Sequence, residues 1–336
     1  MVAVMVCRVV AGAFWGDEGK GKIVSYLALK DKLDVCVRVG SVNAGHTVIH
    51  EGRRFTLHML PSAFVYEKCR LLIGPGANIH VSRLLEEIRE TNTANRIGVD
   101  GQCSVIEEKH AVQDKTSAHL KGTIGTTGWG VGPAIEERVR RTAKLARDIP
   151  ALQAYLADVA IEVNEAIDKG KNVLLEGVQG FYLSLFHGTY PYVTGRDTTS
   201  AAILSEAGVG PSKVDHVLLV YKAYMTRVGG GPLPGELSKE ETVKRGWLEI
   251  SATGRERRAA PFDFYLAKRA AIVNGATEAA VTKLDLLFPA CKNITSYEKL
   301  PLEAKKFIEE VENQTGIPVV LIGTGPSALD IIDRRK

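Results

Sequence analysis

The strongest constraint on the fold is a junction near the N-terminus. There the apolar run Met5–Ala11 gives way to GAFWGDEGKGK, residues 12–22. A buried strand that opens into a Gly-rich, Lys-bearing loop is a way to hold a phosphate. Small residues let backbone N–H groups approach the oxygens, lysines add positive charge, and a following helix contributes its dipole. Lys20, Gly21 and Lys22 lead straight into such a helix. The loop departs from the P-loop pattern Gly-x4-Gly-Lys-Ser/Thr. Six residues separate Gly12 from Gly19, and Gly21 stands where the magnesium-binding hydroxyl belongs. Mg2+ therefore needs another ligand, and Asp17 is the nearest candidate. A second stretch, RVGSVNAGHT at 38–47, sets Asn43 and His46 in a polar turn after another apolar run. A phosphate cradle with a carboxylate and a histidine nearby points to chemistry as well as binding.

A net charge of +4 over 336 residues is too small to argue for nucleic acid, but it suits anionic substrates. The five cysteines are odd in number, form no Cys-x-x-Cys and fall partly in apolar runs, which reads as reduced core thiols in a cytosolic protein. The N-terminal run has no basic flank and no cleavage site, so it reads as a first strand and not a signal peptide. No stretch approaches the ~20 apolar residues of a membrane span.

Short β-branched runs alternate with helical patterns. Strands are predicted at Val6–Ala11, Val35–Val39, Leu71–Ile73, Val173–Leu175, Val217–Val220, Ala280–Thr282 and Val319–Ile322. Helices are predicted at Val81–Glu90, Glu107–Ala118, Ile135–Ala146, Leu152–Lys169, Phe262–Asn274 and Leu302–Gln314. Continuous apolar strands alternating with helices imply an α/β fold: one large domain over 1–336, with a mainly parallel central sheet flanked by helices and a P-loop-like nucleotide site. Glu51-Gly52 reads as a hairpin turn. Gly and Pro concentrate in loops 120–133, 187–196, 227–236 and 251–261, where ligand contacts are expected.

Thr282-Lys283-Leu284-Asp285 follows a predicted strand. Lys-x-Asp at a strand end can read guanine. The carboxylate accepts from the ring N–H and the exocyclic amine while the lysine stem packs over the base; adenine presents an acceptor there and repels the carboxylate. Gly323-Thr324-Gly325-Pro326 follows the last strand and forms either a second wall of the base pocket or a plain turn. Gly125-Thr126-Thr127-Gly128 resembles an anion nest, and Gln179 and Thr194 are polar groups in strand-end or loop positions. In TGRERR at 253–258, alternate guanidinium groups can grip a dicarboxylate or phosphate. Gly74-Pro75-Gly76 lacks the third glycine of a dinucleotide fingerprint, which argues against NAD. These residues leave open an ATP-dependent ligase acting on another carboxylate, and a guanine-nucleotide switch with no further chemistry.

Ten segments in this order resemble the adenylosuccinate synthetase family: WGDEGKGK at 15–22, NAGHT at 43–47, LHMLPSAF at 57–64, GTTGWGVGPAIEERVRR at 125–141, EGVQG at 176–180, HGTYPYVTGRDTT at 187–199, KAYMTRVGGGPLP at 222–234, TGRERR at 253–258, TKLD at 282–285 and GTGP at 323–326. The resemblance implies a GTP-dependent ligase that joins IMP to L-aspartate through 6-phosphoryl-IMP, giving adenylosuccinate, GDP and phosphate. It implies Asp17 as general base and His46 as general acid, with Mg2+ on Asp17 and the backbone carbonyl of Gly45. The implied IMP site is Asp17, Glu18, Gly19, Lys20, Asn43, Ala44, Gly45, His46, Thr127, Gln179, Thr194 and Arg255, completed by Arg141 from a neighbouring subunit of a homodimer. The implied aspartate loop is Ser251, Ala252, Thr253, Gly254, Arg255, Glu256 and Arg257. The implied GTP site is Gly16 through Lys22 (Gly16, Asp17, Glu18, Gly19, Lys20, Gly21, Lys22), Gly45, His46, Thr47, Arg257, Lys283, Leu284, Asp285, Gly323, Thr324 and Gly325. The chain departs from the family pattern at Trp129, usually Arg, at Ala63, at Gly195-Arg196-Asp197 and at Gly323, usually Ser, and it is shorter than most members.

Overall fold

A computed structural model describes residues 6–251 and 254–335. Ten strands form one sheet. From one edge to the other they are Ile331–Asp333, Val319–Gly323, Glu278–Thr282, His216–Lys222, Cys7–Gly12, Val173–Glu176, Val35–Arg38, Arg70–Ile73, Ile97–Asp100 and Leu156–Ala157. Every neighbouring pair is parallel except the first, where Ile331–Asp333 runs against Val319–Gly323. All seven predicted strands are present, within two residues at either end.

The apolar runs are continuous because both faces are covered. Val9, Val37, Leu175, Leu219 and Val281 face one side, under helices Val159–Asp168, Ser200–Ala207, Phe264–Asn274 and Leu302–Thr315. Val10, Cys36, Leu71, Leu174 and Ala280 face the other, under helices Lys20–Asp31 and Val81–Thr91. Alternate residues thus serve two cores, so polar alternation has no place to appear.

Two predicted helices differ in the structure. The stretch 152–169 is broken: a 3-10 turn at Pro150–Tyr155 leads to the edge strand Leu156–Ala157, and the α-helix starts only at Val159. Asp158 decides the start, since its carboxylate accepts from Ile161 N at 3.1 Å. The helix predicted at 135–146 runs instead from Val131 to Arg140 and ends where Arg141 turns left-handed at φ 65. Glu51 and Gly52 close the hairpin His46–His50/Arg53–Leu57 with φ of 49 and 73, as a type I′ turn requires.

Strand order reverses at the first strand. From Cys7–Gly12 the chain builds outward in one direction through residue 157, returns beside it at Val173–Glu176, and then builds in the other direction. In an open parallel sheet such a switch point leaves a crevice at the carboxyl ends of the strands. The loops after residues 12, 38, 176, 222, 282 and 323 all emerge at that end.

Candidate active site

The loop between Cys7–Gly12 and helix Lys20–Asp31 is held by its own charges. Glu18, fully buried, accepts from Phe14 N at 3.0 Å and Gly16 N at 2.8 Å. Its other oxygen takes Lys20 Nζ at 2.7 Å, and Lys20 also donates to the Gln179 carbonyl. The Glu18 and Lys20 side chains therefore build the cradle. Gly16, Asp17 and Gly19 have φ of 87, 61 and 88, left-handed conformations that turn the loop tightly. Among the described residues no side chain caps the helix that follows Gly19, and its first turn starts at the carboxyl end of Cys7–Gly12, where the crevice opens. Gly12 is obligatory here: a Cβ would lie 2.5 Å from the Gln179 carbonyl oxygen.

His46 packs against this helix start, 3.0 Å from where a Gly21 Cβ would sit. Its Nδ1 lies 2.5 Å from Glu176 Oε1. Glu176 also takes Arg38 at 3.1 Å, Ser62 Oγ at 2.6 Å and Ser62 N at 2.7 Å. Burial opposes a charge on Glu176, but Arg38 foremost, with His46 and Ser62, holds the carboxyl at about 2. Burial, with Arg38 adding, pushes His46 down to about 3. A neutral imidazole against a carboxylate donates from Nδ1, which leaves Nε2 a bare lone pair; that Nε2 is buried and has no partner among the described residues. Asn43 Oδ1 is likewise buried and unpartnered. Two such atoms in one crevice mark places a ligand fills.

The arrangement makes the fold acid-sensitive. Between its folded and unfolded pKa values a group binds a proton only in the unfolded chain, so falling pH removes stability. For His46 this loss begins below the ordinary histidine value of 6.5, and for Glu176 below the ordinary glutamate value of 4.5. The melting temperature is expected to fall between pH 7 and pH 5, and less steeply in His46→Gln. Equal slopes in the two proteins would remove His46 as the cause.

On the other side of the cradle, Arg257 reaches Asp17 Oδ1 at 2.8 Å. Arg255 donates to the Gly125 carbonyl at 2.7 Å, which ties the start of strand Glu256–Ala260 to the Gly125–Gly128 segment. Gln179, left-handed at φ 60, donates to Thr194 Oγ1 at 2.9 Å. Lys283 and Asp285 follow strand Glu278–Thr282, and burial raises the Asp285 carboxyl. Thr282 Oγ1 donates to the Glu18 carbonyl at 2.6 Å and so joins the TKLD segment to the 12–22 loop.

Other predicted residues stand differently. Lys22 Nζ is spent on the carbonyls of Gly325, at 2.5 Å, and Asp330, at 2.8 Å, where it secures the 323–325 wall. Glu256 is exposed and pairs with Lys239 at 2.9 Å. Thr47 and Arg141 are exposed. Ala252 and Thr253 lie outside the described residues. Trp129, at a departure from the family pattern, packs by His58 and His80, with ring centres 5.7 and 5.8 Å away. Arg196 bonds Glu206 at 2.8 Å and the Gly76 carbonyl at 2.9 Å, which is a structural tie.

The residues that the sequence reading missed are Glu176, Arg38 and Ser62. All three lie inside the segments singled out above; Arg38 and Glu176 carried the signal of a buried strand ending in a charge, whereas Ser62, which opens a 3-10 turn, carried none. Among the described residues, Glu107, His110 and Glu137 cluster closely enough to suggest a metal. His110 Nδ1, however, accepts the Glu107 N–H at 3.0 Å, so the proton of the neutral ring sits on Nε2, the atom that lies 2.9 Å from Glu137. No ring lone pair is left for an ion.

Residues 9–151 and 142–290 match the family model described as adenylosuccinate synthetase. Among curated relatives, the adenylosuccinate synthetase of Archaeoglobus fulgidus is 51% identical over 334 residues, 99% of each chain. That of Methanocaldococcus jannaschii is 47% identical over 340 residues, 100% of this chain and 99% of the relative. The compact length is therefore shared with these relatives. Among solved structures, fully ligated adenylosuccinate synthetase from Plasmodium falciparum superposes with a TM-score of 0.91 at 26% identity, covering 98% of this chain and 100% of the other.

Proposed function

The chain belongs to the adenylosuccinate synthetase family, a GTP-dependent ligase of IMP and L-aspartate, and from that premise we propose how its residues divide the work. The observation that carries the assignment is the unpartnered Nε2 of His46, backed by Glu176 and lying beside the helix start that Asp17 precedes.

Asp17 takes the N1 proton of IMP, which makes the 6-oxygen nucleophilic toward the γ-phosphorus of GTP. That oxygen forms the new P–O bond as GDP leaves. The aspartate amine then attacks C6 of 6-phosphoryl-IMP and phosphate departs, giving adenylosuccinate. His46 enters the cycle neutral. An arriving phosphate supplies the anion that Nε2 lacks, and with Glu176 behind the ring the imidazolium becomes favourable only in the loaded site. His46 then donates toward the charge that develops during transfer. Phosphoryl transfer needs positioning and neutralisation more than covalent help, and the uncapped helix start provides both.

Asn43, Thr127, Gln179 and Thr194 hold IMP. Ser251–Arg257 hold aspartate, and Lys283–Asp285 with Gly323–Gly325 hold guanine. Loading the site requires Arg257 to release Asp17, which frees a guanidinium for a carboxylate. Asp17 and the Gly45 carbonyl would hold Mg2+, which supplies neutralisation of the phosphates when bound. Oxygen-only donors suit that ion, and the guanidinium resting on Asp17 marks this carboxylate as a seat for a cation. The chain works as one unit over 1–336, a reading supported by a sheet that draws strands from residues 7 to 333. Exposed Arg141, next to exposed Val139 near the end of helix Val131–Arg140, supports a homodimer in which Arg141 reaches the neighbouring IMP site. Five buried, unpaired thiols support a cytoplasmic setting. No described helix is long and apolar enough to cross a membrane.

The test is adenylosuccinate formation, followed by absorbance, from IMP, aspartate and Mg2+ with GTP or ATP. Product is expected with GTP and little with ATP. Asp285→Asn should cut that preference by at least about 100-fold, because a site built to accept two N–H groups loses its grip on guanine. An unchanged preference in the variant would sink the guanine pocket.

A further inference from the structure

Glu249 belongs to none of the residue sets above, yet more charge converges on it than on any of their members. It opens strand Glu249–Ile250 and faces Arg257 in the antiparallel register. Its side chain is 11% exposed. It accepts from Lys222 Nζ at 2.7 Å, Lys283 Nζ at 2.6 Å, Arg257 at 2.5 Å and the hydroxyl of Tyr224. These four donors come from separate places: the end of strand His216–Lys222, the turn after it, the end of Glu278–Thr282 and strand Glu256–Ala260. The base of the cluster is rigid. Tyr224 stacks on Trp247 with centroids 4.4 Å apart, and Lys222, 1% exposed, lies over the Tyr224 ring at 4.5 Å.

Three cations on one carboxylate exceed what a structural salt bridge needs. Burial pushes Lys222 down to about 7, against the pull of Glu249. Two of the cations lead outward. Lys283 begins the guanine-reading segment, and Arg257 continues from Glu249 to Asp17 at 2.8 Å. A continuous chain, Lys283–Glu249–Arg257–Asp17, therefore spans from the base end of the crevice to the reacting end. A lysine stem that must lie along a base face is freely rotating unless its end is tethered, and an arginine fork is useful only when aimed. One carboxylate does both here.

We propose that Glu249 is a positioning residue that sets Lys283 and Arg257 together, so that the guanine and aspartate sites are organised jointly. The inference rests on the reading given under Proposed function. It acts through those two side chains and touches no substrate itself.

The test is steady-state kinetics of the full-length chain carrying Glu249→Gln, with wild type assayed alongside. Wild-type turnover with GTP checks the underlying reading separately; its absence would overturn that reading and this inference with it. In the variant the KM values for GTP and for aspartate should both rise about tenfold or more, while the KM for IMP stays within about threefold. Glu249→Asp, which keeps the charge, should recover part of both. A change in only one of the two constants overturns the joint role, as does no change in either. A uniform rise in all three KM values with a falling melting temperature assigns Glu249 to stability alone. If the glutamine variant does not fold, Glu249→Gln/Lys222→Met removes the buried excess cation at the same time. The same paired rise is expected there, and normal GTP and aspartate constants in that double variant overturn the proposal.

Discussion

Asp17→Asn is expected to lower kcat by about 10³- to 10⁴-fold, the range that general acid–base groups supply, while GTP affinity measured by titration calorimetry changes by less than about tenfold. The asymmetry follows from the loop. Its shape depends on Glu18, which staples Phe14 N, Gly16 N and Lys20 and does not involve the Asp17 side chain. Asparagine keeps the size of the side chain and should tolerate φ of 61, since Asn enters the left-handed region more readily than most residues. What it loses is the charge that receives Arg257 at 2.8 Å and that the proposed mechanism uses to accept the IMP proton. Residual kcat within tenfold of wild type would refute Asp17 as the base. A collapse of GTP binding together with kcat would assign the carboxylate to holding the nucleotide, through the loop or through Mg2+, and not to proton transfer alone.

Glu176→Gln should be the most damaging single change to the site and the fold together. Glu176 is fully buried and is the shared acceptor for His46, Arg38 and Ser62. Removing its charge leaves Arg38, itself 2% exposed, without its anion. Breaking one partner of a buried pair typically costs about 3–5 kcal/mol. The amide also presents an N–H that can face the His46 ring and select the opposite tautomer. A lower denaturation midpoint in urea and a kcat reduced by at least about 100-fold are expected together. His46→Gln separates the two effects: it should depress kcat to a similar degree with a smaller loss of stability, because Arg38 keeps its carboxylate. Equal destabilisation by both variants would show that the pair is only a structural bridge.

Much of this site was legible in the chain because its backbone elements are written locally. Gly16 and Gly19 announce left-handed turns, Glu51-Gly52 announces a type I′ hairpin, and runs such as Leu71–Ile73 announce strands covered on both faces. The helix expected over 152–169 starts only at Val159 for an equally local reason, the cap at Asp158, which outcompetes the periodic pattern before it. The edge strands Leu156–Ala157 and Ile331–Asp333 are too short to carry a periodicity of their own. Their strand character comes from neighbours that offer unpaired backbone groups.

By itself, then, the sequence determined which segments would be strands, where the Gly-rich loops would fall, and which residue types would stand at their ends. Tertiary structure alone decided which end-groups meet. His46 and Glu176 are 130 positions apart and touch because Val173–Glu176 inserts beside Cys7–Gly12 in the sheet. Lys20 became a loop staple, Lys22 a wall anchor and Glu249 a hub for the same reason. A long charged side chain takes whichever counter-charge the strand order brings within hydrogen-bond reach, and strand order is a property of the whole sheet that no local spacing encodes.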